Sequence, residues 1–288
     1  MILVVLWGAV VRATGSGAGC GDNWPLCNGD FVPHHPRLAT IIEFTHRSMT
    51  GICTAMVLAL AAWTFATTTP RHRARRAVVW SMVLLVTEAL LGALLVLRGY
   101  VEKNASLARV AAQVVHFTNT FMLLAALSLT AWFLSRRNPG VRPDSARPCS
   151  AGARRAVLLA AAATVVMGAT GSLAALADTI FPSASLAEAL ARDFAASSPM
   201  LIRMRWIHPA AALLGVASVL YLVAEVRSRM SLAVAGFLLL QLLIGLGDLL
   251  SLASTTMQVL HLLGADLFWV ALVGLAGEIL WPDTLASA

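Results

Sequence analysis

Charged side chains are scarce in this sequence and make up only 12% of its 288 residues. Hydrophobic residues make up 59% and the mean hydropathy is +0.79, which excludes a water-soluble domain of ordinary composition. Long polar segments are also missing, because apolar stretches of about the 20 residues that a spanning helix needs follow one another with only short breaks. The composition therefore places the chain in a lipid bilayer and leaves no soluble domain over.

The apolar stretches predict an all-α integral membrane protein with eight transmembrane helices. The predicted bounds are 1–13, 40–68, 77–97, 107–134, 156–177, 199–224, 231–252 and 255–281. The first stretch is too short to cross a hydrocarbon core of roughly 30 Å at about 1.5 Å per residue, so the helix either begins upstream or is partial. A cleaved signal peptide is the competing interpretation, although the stretch lacks a basic n-region.

Acidic residues are few, 14 against 21 Lys and Arg, and the basic residues are unevenly placed. Arginines cluster between predicted helices 2 and 3, between 4 and 5, and after helix 6, and such loops stay on the cytoplasmic side. This pattern predicts a multi-pass protein of the cell inner (plasma) membrane with both termini cytoplasmic. We interpret the clusters as topology determinants and lipid headgroup contacts, so the bilayer is an expected partner and nucleic acid is not.

Cysteine is rare as well, with four in the chain. Cys20 and Cys27 lie in the first loop predicted to be external, beside Gly19, Gly21 and Pro25. A disulfide that closes a tight turn in an oxidising compartment is therefore feasible.

The chain also repeats itself weakly but in a consistent order, at offsets of about 145 to 162 residues. The matching segments are Thr14-Gly15-Ser16 with Thr170-Gly171-Ser172, Asp22 with Asp178, Trp24-Pro25 with Phe181-Pro182, Glu43 to His46 with Arg205 to His208, Glu88 and Gly92 with Gln241 and Gly245, and Gln113 and His116 with Gln258 and His261. The order predicts two pseudo-symmetric four-helix bundles, residues 1–134 and 156–288, joined by a cytoplasmic linker at 135–155. Because four is an even number, both halves enter the membrane from the same side.

Four of the seven histidines fall inside predicted helices 2, 4, 6 and 8. They are His46, His116, His208 and His261, each within about the first ten residues of its helix, which places them at a similar depth. An imidazole in hydrocarbon needs a partner, so these residues are functional candidates, although any one of them could simply join two helices by a hydrogen bond. Two facing histidines in a helical bundle suit the axial positions of a haem iron, whereas zinc or copper would usually recruit a thiolate, a carboxylate or a third imidazole.

The two halves differ one turn before the first histidine of each pair. Glu43 precedes His46 on the same helix face, while Arg205 holds the equivalent position before His208. The carboxylate could act in proton transfer or stabilise positive charge, or it could pair structurally with Arg47 or Arg12. Arg203 and Arg205 could pair with haem propionates or extend to lipid headgroups.

The most specific residues lie in the first 50 positions, and together they resemble the haem A synthase family, which includes bacterial members related to the mitochondrial enzyme. They are Gly8-x-x-Val11-Arg12-x-Thr14-Gly15-Ser16-Gly17, Cys20, Asp22, Trp24-Pro25-Leu26-Cys27-Asn28-Gly29 and Glu43-x-x-His46-Arg47. The later histidines and the internal repeat extend the resemblance over nearly the whole chain.

The resemblance implies an oxidoreductase that converts the C8 methyl group of haem o to a formyl group, giving haem a for terminal oxidases. It implies that His46 and His116 flank the substrate haem, that His208 and His261 ligate a haem b cofactor, and that Glu43 is the catalytic carboxylate. Cys20 and Cys27 match the family's external cysteine pair. The implied partners are a haem o synthase that delivers the substrate and an electron acceptor of unspecified identity.

Two other classes remain open from the residues alone. A dihaem electron-transfer protein of the cytochrome b type, acting with quinol, would also need four helical histidines. Glu43 without a counterpart in the second half favours an enzyme over such a conduit. A transporter is the third class, but its expected broken helices are weakly indicated, since Gly92, Gly245 and Gly247 are equally explained by close helix packing.

Overall fold

The computed structural model describes residues 1–135 and 150–282, and the regular secondary structure of these residues is helical apart from an isolated bridge between Cys27 and Asp30. The helices are α1 (Ile2–Ala13), α2 (Leu38–Thr67), α3 (Arg73–Leu97), α4 (Leu107–Ser135), α5 (Ala151–Ile180), α6 (Leu186–Phe194), α7 (Met200–Arg203), α8 (Ile207–Glu225), α9 (Arg229–Leu250) and α10 (Thr255–Leu280). Seven spans in the described part are long and apolar enough to cross a membrane, with α7 and α8 forming one of them. The all-α membrane class is therefore confirmed, and the eighth predicted span is the 12-residue α1, which is too short to cross, as expected.

Three helices begin earlier than predicted because polar side chains cap them. Ser150 accepts a hydrogen bond from the backbone N–H of Ala153 and starts α5, and Ser228 forms a capping box with Ser231 at the start of α9. His72 caps α3 in the same way, through the N–H of Ala74. A capped helix satisfies backbone donors that would otherwise lack partners, so the helix extends to the capping residue.

The predicted helix at 199–224 is divided into α7 and α8 by a tight turn at residues 204–206. Pro209 explains the division, because in a continuous helix its ring would clash with the carbonyl of Arg205. Instead, the N–H groups of Ile207 and His208 bond to carbonyls three residues earlier, as in a 3₁₀ turn, and Pro209 lies in the first turn of α8. The loop predicted at 178–198 contains the short helix α6, which the apolar pattern does not indicate.

The long helices pack in two similar series. In the first series α1 packs against α2, α2 against α3 and α3 against α4. In the second series α5 packs against α8, α8 against α9 and α9 against α10. The two series meet through α1, α4, α5 and α10, which contact one another across the middle of the molecule.

The main apolar core lies where the two series meet. Trp269 of α10 stacks on Phe121 of α4 with ring centroids 5.6 Å apart, and its Nε1 donates a 2.8 Å hydrogen bond to the Phe121 carbonyl. On the opposite faces of the helices, large apolar side chains are exposed, such as Met56, Trp80 and Leu213. An exposed apolar surface on every long helix is typical of a protein surrounded by lipid.

Residues 136–149 and 283–288 lie outside the described residues. Most of the predicted linker at 135–155, and the end of the predicted second half at 156–288, therefore fall on positions that the structure does not describe. Because α5 begins at Ala151, Arg154 and Arg155 lie in a helix and not in the predicted linker at 135–155.

Candidate functional site

The four intramembrane histidines lie near the same end of the helical region, at which α2, α4, α10 and the span from Met200 begin. We call this end the histidine end. His46 is the ninth residue of α2, His116 the tenth of α4 and His261 the seventh of α10, and His208 is the ninth residue of the span from Met200. The common depth expected from the sequence is thus reproduced by the observed helix bounds.

His208 and His261 face each other across the second series. Their ring centroids are 6.1 Å apart and their planes are inclined by 80°. Nδ1 of His208 lies 3.1 Å from the carbonyl oxygen of Met167. When Nδ1 carries the proton, it donates a hydrogen bond to this carbonyl, and Nε2 is then available as a metal ligand. The amide nitrogen of Gln241 lies 2.8 Å from the His261 carbonyl oxygen and 3.1 Å from His261 Nδ1.

This spacing suits two imidazoles that share one metal ion. Metal–nitrogen bonds of about 2 Å on each side, together with the size of the rings, bring two ring centroids to roughly 6 Å. Residues 1–135 and 150–282 contain no group of three or more His, Cys, Asp and Glu side chains that could hold a metal ion. Two axial histidines with an otherwise apolar surrounding fit haem iron better than zinc, which needs three or four protein ligands.

Glycines lie against three of the four imidazoles. A Cβ atom built on Gly8 would be 3.1 Å from Cε1 of His46, one on Gly171 would be 3.0 Å from Cε1 of His208, and one on Gly245 would be 2.8 Å from Cε1 of His261. These distances are shorter than ordinary carbon contacts, so the missing side chains create the space that each ring occupies.

The glycine contacts revise one part of the predicted repeat. Thr14-Gly15-Ser16 follows the end of α1, whereas Thr170-Gly171-Ser172 lies within α5, so these matching tripeptides occupy different structural positions. Gly8 and Gly171 are the structurally equivalent pair, because each contacts the first histidine of its series. Their offset of 163 is close to the offset of 162 between His46 and His208.

The first histidine pair has a different environment from the second. His46 and His116 lie within electrostatic range of each other, and their Nδ1 atoms are buried without a hydrogen-bond partner. Nδ1 of His116 lies 3.3 Å from Oε1 of Glu88 on α3. At this distance Glu88 is in position to orient His116.

Glu88 is held firmly by α4. It accepts hydrogen bonds from Thr120 and, at 2.6 Å, from the Asn119 amide. Its counterpart in the repeat is Gln241, which contacts His261. In the first series the carboxylate of Glu88 on α3 therefore lies against His116 on α4. In the second series the amide of Gln241 on α9 lies against His261 on α10.

Glu43 fastens the loop at residues 14–37 to α2. It is 3% exposed, pairs with Arg47 at 2.5 Å and accepts a 2.8 Å hydrogen bond from the backbone N–H of Cys20. Arg47 in turn donates to the carbonyls of Asn23 and Leu26. Of the alternatives left open by the sequence, the pairing with Arg47 is present, and it combines with a contact to the cysteine loop that the sequence did not indicate.

Cys20 and Cys27 are brought together in this loop with their sulfur atoms at bonding distance and their Cα atoms 4.4 Å apart. Both are buried, and Asn28 donates a backbone hydrogen bond to the Cys20 carbonyl. The arrangement suits the predicted disulfide, next to the residue pair Glu43 and Arg47.

Arg205 is occupied by two carboxylates. Its Nη1 lies 2.7 Å from Asp178 at the end of α5, and its Nη2 lies 2.6 Å from Asp193 in α6. Arg205 is buried, whereas Arg203 is exposed. Arg205 thus joins α6 to the end of α5, and its guanidinium is already neutralised without a haem propionate.

Two further intramembrane residues were given no role by the sequence analysis. Glu88 is the only acidic residue of α3 and Arg109 the only charged residue of α4. A lone ionisable residue inside an apolar span is a functional candidate by default, and this signal identifies both.

The comparisons with known proteins identify the family of this chain. The sequence model of a family described as COX15-CtaA, cytochrome oxidase assembly protein, matches residues 1–273. A Thermus thermophilus protein named protoheme IX farnesyltransferase is 41% identical over 288 residues, covering 97% of this chain and 46% of that relative.

Other relatives are named heme A synthase, and two of them illustrate the match. The protein from Alkalihalophilus pseudofirmus is 38% identical over 129 residues, covering 45% of this chain and 41% of its own length. The protein from Bacillus pumilus is 46% identical over 101 residues, covering 34% of this chain and 32% of its own length. The chain thus spans less than half the length of each of these relatives.

Proposed function

Because the chain belongs to the COX15-CtaA family of cytochrome oxidase assembly proteins, we propose that it is a haem A synthase. In this proposal it oxidises the C8 methyl group of haem o to a formyl group and supplies haem a to terminal oxidases. The observation that carries the proposal is the 6.1 Å separation of the His208 and His261 rings, at a helix depth similar to that of His46 and His116.

The second pair is the proposed cofactor site. His208 and His261 would hold haem b, which when bound supplies reversible one-electron transfer through its iron. The Met167 carbonyl fixes the orientation of the His208 ring, and Gly171 and Gly245 provide the space for the two imidazoles. Gln241 confines the His261 ring from α9.

The first pair is the proposed substrate site, where His46 and His116 would flank haem o. Glu88 lies beside His116, and Glu43 lies one helical turn from His46. We assign Glu43 the catalytic carboxylate of this side, and its bond to Cys20 couples it to the cysteine loop. We also propose that Cys20 and Cys27 form a disulfide.

The wider arrangement follows the same proposal. The two helix series would form pseudo-symmetric halves, at 1–134 and 156–288, since the three contacts between successive long helices in one series have counterparts in the other. The histidine end would face outwards from the plasma membrane, with the termini in the cytoplasm. A haem o synthase would deliver the substrate, which is supported by the farnesyltransferase name of the Thermus relative. The electrons would pass to an acceptor that this chain does not specify.

The first test is to express the chain in membranes of a host that makes haem o, then extract the haems and separate them by chromatography. Haem a, or its hydroxylated precursor, should be present only with the protein. Unchanged haem o beside a bound bis-histidine haem b would contradict the proposal and indicate a dihaem electron carrier.

Variants separate the residue roles. His208→Ala should lose haem b itself, whereas Glu43→Ala should keep haem b and stop conversion. Arg47→Ala is the matched control, because it breaks the same ion pair but leaves the carboxylate in place. Equal loss of conversion in Arg47→Ala and Glu43→Ala would mean that Glu43 acts only by fastening the loop, and retained conversion in Glu43→Ala would remove it from any role.

A further inference from the structure

Arg109 is a buried arginine that forms no ion pair with the acidic residues in 1–135 and 150–282. The residue is 4% exposed, and its Nε and Nη1 atoms have no hydrogen-bond partner among the residues that the structure describes. Burying a charged group without a partner is strongly unfavourable, so such a group normally meets an ion or ligand. Arg205, by contrast, has two carboxylates.

A second buried arginine lies near Arg109. Arg12 lies within electrostatic range of Arg109. Arg12 donates to the Ala175 carbonyl at 2.7 Å, the Thr179 hydroxyl at 2.5 Å and the Gln258 amide oxygen at 2.7 Å, and Asp178 and Asp248 lie within its electrostatic range. Arg109, whose Nε and Nη1 donors lack partners, is therefore the arginine of this pair that is available to bind a carboxylate or a phosphate.

Arg109 also shares a helix face with His116. The two residues are seven positions apart, which returns to nearly the same face of α4 and separates them by about 10.5 Å along the axis. On the same stripe, Thr120 bonds to Glu88 of α3, and Leu123 packs in the core with α2 and α3. This stripe faces the interior of the first series, and Arg109 lies on it between His116 and the histidine end.

We propose that Arg109 binds a propionate carboxylate of the haem held by His46 and His116. The proposal rests on the proposed function, because it takes that histidine pair as the substrate site. A long flat ligand with its iron at His116 and its acidic side chains directed to the histidine end would place a carboxylate at the level of Arg109. The low exposure of Arg109 favours a haem carboxylate over the phosphate of a surrounding lipid.

The test compares two probes on the purified full chain: iron protoporphyrin IX with free propionates and its dimethyl ester. The first-site signal is defined as the part of the haem absorbance change that His46→Ala removes. In the wild type the free acid should bind this site more tightly than the ester. Arg109→Gln should weaken free-acid binding by about tenfold to 150-fold and leave ester binding nearly unchanged, because a hydrogen bond between charged groups is lost.

Three further variants control the measurement. Arg98→Gln makes the same substitution at an exposed position near the same end and should keep the wild-type preference for the free acid. Arg109→Lys keeps the charge and should restore part of the preference. Arg109→Met removes the charge from a side chain of similar length, and it replaces Arg109→Gln if that variant fails to fold. Retention of the haem held by His208 and His261 reports folding.

Each outcome has a separate meaning. An unchanged preference in Arg109→Gln or Arg109→Met, with the first-site signal still dependent on His46, overturns this inference and leaves the proposed function standing. Loss of a copurifying anionic phospholipid in Arg109→Gln, with the preference unchanged, also overturns it and identifies a lipid phosphate as the ligand. If His46→Ala removes none of the haem absorbance change that the wild type shows, the assignment of His46 and His116 as the substrate site is refuted.

Discussion

The substitution Gly245→Ala should reduce haem binding by the second histidine pair. Gly245 lies in α9, and a Cβ atom there would be 2.8 Å from Cε1 of His261. Carbon atoms in contact lie about 3.5–4.0 Å apart, so the imidazole would have to move by roughly 0.7–1.2 Å. Gln241 blocks an easy escape, because its amide nitrogen lies 3.1 Å and 3.3 Å from the two ring nitrogens.

The size of the effect follows from the cost of overpacking. An added methyl group in a packed site costs about 1–3 kcal/mol, which corresponds to a loss of about fivefold to 150-fold in affinity. The helix itself should not be weakened, because alanine is favoured over glycine in a helix by about 1 kcal/mol. The gain in helix propensity offsets part of the packing cost in the protein without haem, so haem binding should change more than the unfolding temperature of that protein.

The repeat supplies the matched control. Gly92 is the counterpart of Gly245 in α3, and a Cβ atom there would have no heavy atom within 4 Å. The measurement is a haem titration of purified wild type, Gly245→Ala and Gly92→Ala, followed by the absorbance of the bis-histidine haem. Gly92→Ala should match the wild type.

Full haem affinity in Gly245→Ala would refute the reasoning, because it would show that His261 does not need the space beside this glycine. Equal losses in Gly92→Ala and Gly245→Ala would refute it in a different way. They would assign the effect to a general change in helix packing and not to the imidazole contact.

Three further predictions concern charges and the cysteine loop. Glu88→Gln replaces the carboxylate beside His116 with an amide, as in the second site, so His116 should become a weaker donor to iron. The midpoint potential of a haem bound at His116 should therefore rise in a spectroelectrochemical titration. An unchanged potential would show that Glu88 does not act on His116. Arg205→Gln should lower stability by about 1–3 kcal/mol in detergent thermal unfolding, because two carboxylates lose their partner, while Arg203→Gln at an exposed position should leave the unfolding temperature unchanged. Cys20→Ser should convert the loop to a form that proteases cleave faster without loss of the second-site haem; equal cleavage rates would argue against the disulfide.

The apolar pattern was sufficient for the fold class and for the depth of the histidines, because each long helix needs an unbroken apolar run. The division between α7 and α8 was missed, although Pro209 in the sequence His208-Pro209 contained the signal. The early starts of α3 and α5 were missed because His72 and Ser150 are polar and so lie outside any apolar pattern, while their side chains extend the helices by capping.

The site was predicted less completely than the fold. Residue type and spacing identify His208 and His261, but they do not indicate which neighbours touch the rings. Glu43 was recognised as special, yet its hydrogen bond to the Cys20 backbone depends on how the loop folds back on α2. Arg205 was interpreted from its place before His208, whereas its partners come from α5 and from α6, a helix that the sequence pattern did not reveal.

Arg12 limits how far the two helix series can move relative to each other. It extends from the end of α1 and bonds to Ala175 and Thr179 of α5 and to Gln258 of α10. If α1 moved away from α5 and α10, the buried guanidinium of Arg12 would lose its hydrogen-bond partners, at a cost of about 3 kcal/mol or more. An open state of that kind would be populated by fewer than about one molecule in a hundred, so a ligand of the histidine sites should exchange mainly through movements of loops and side chains around the helical frame.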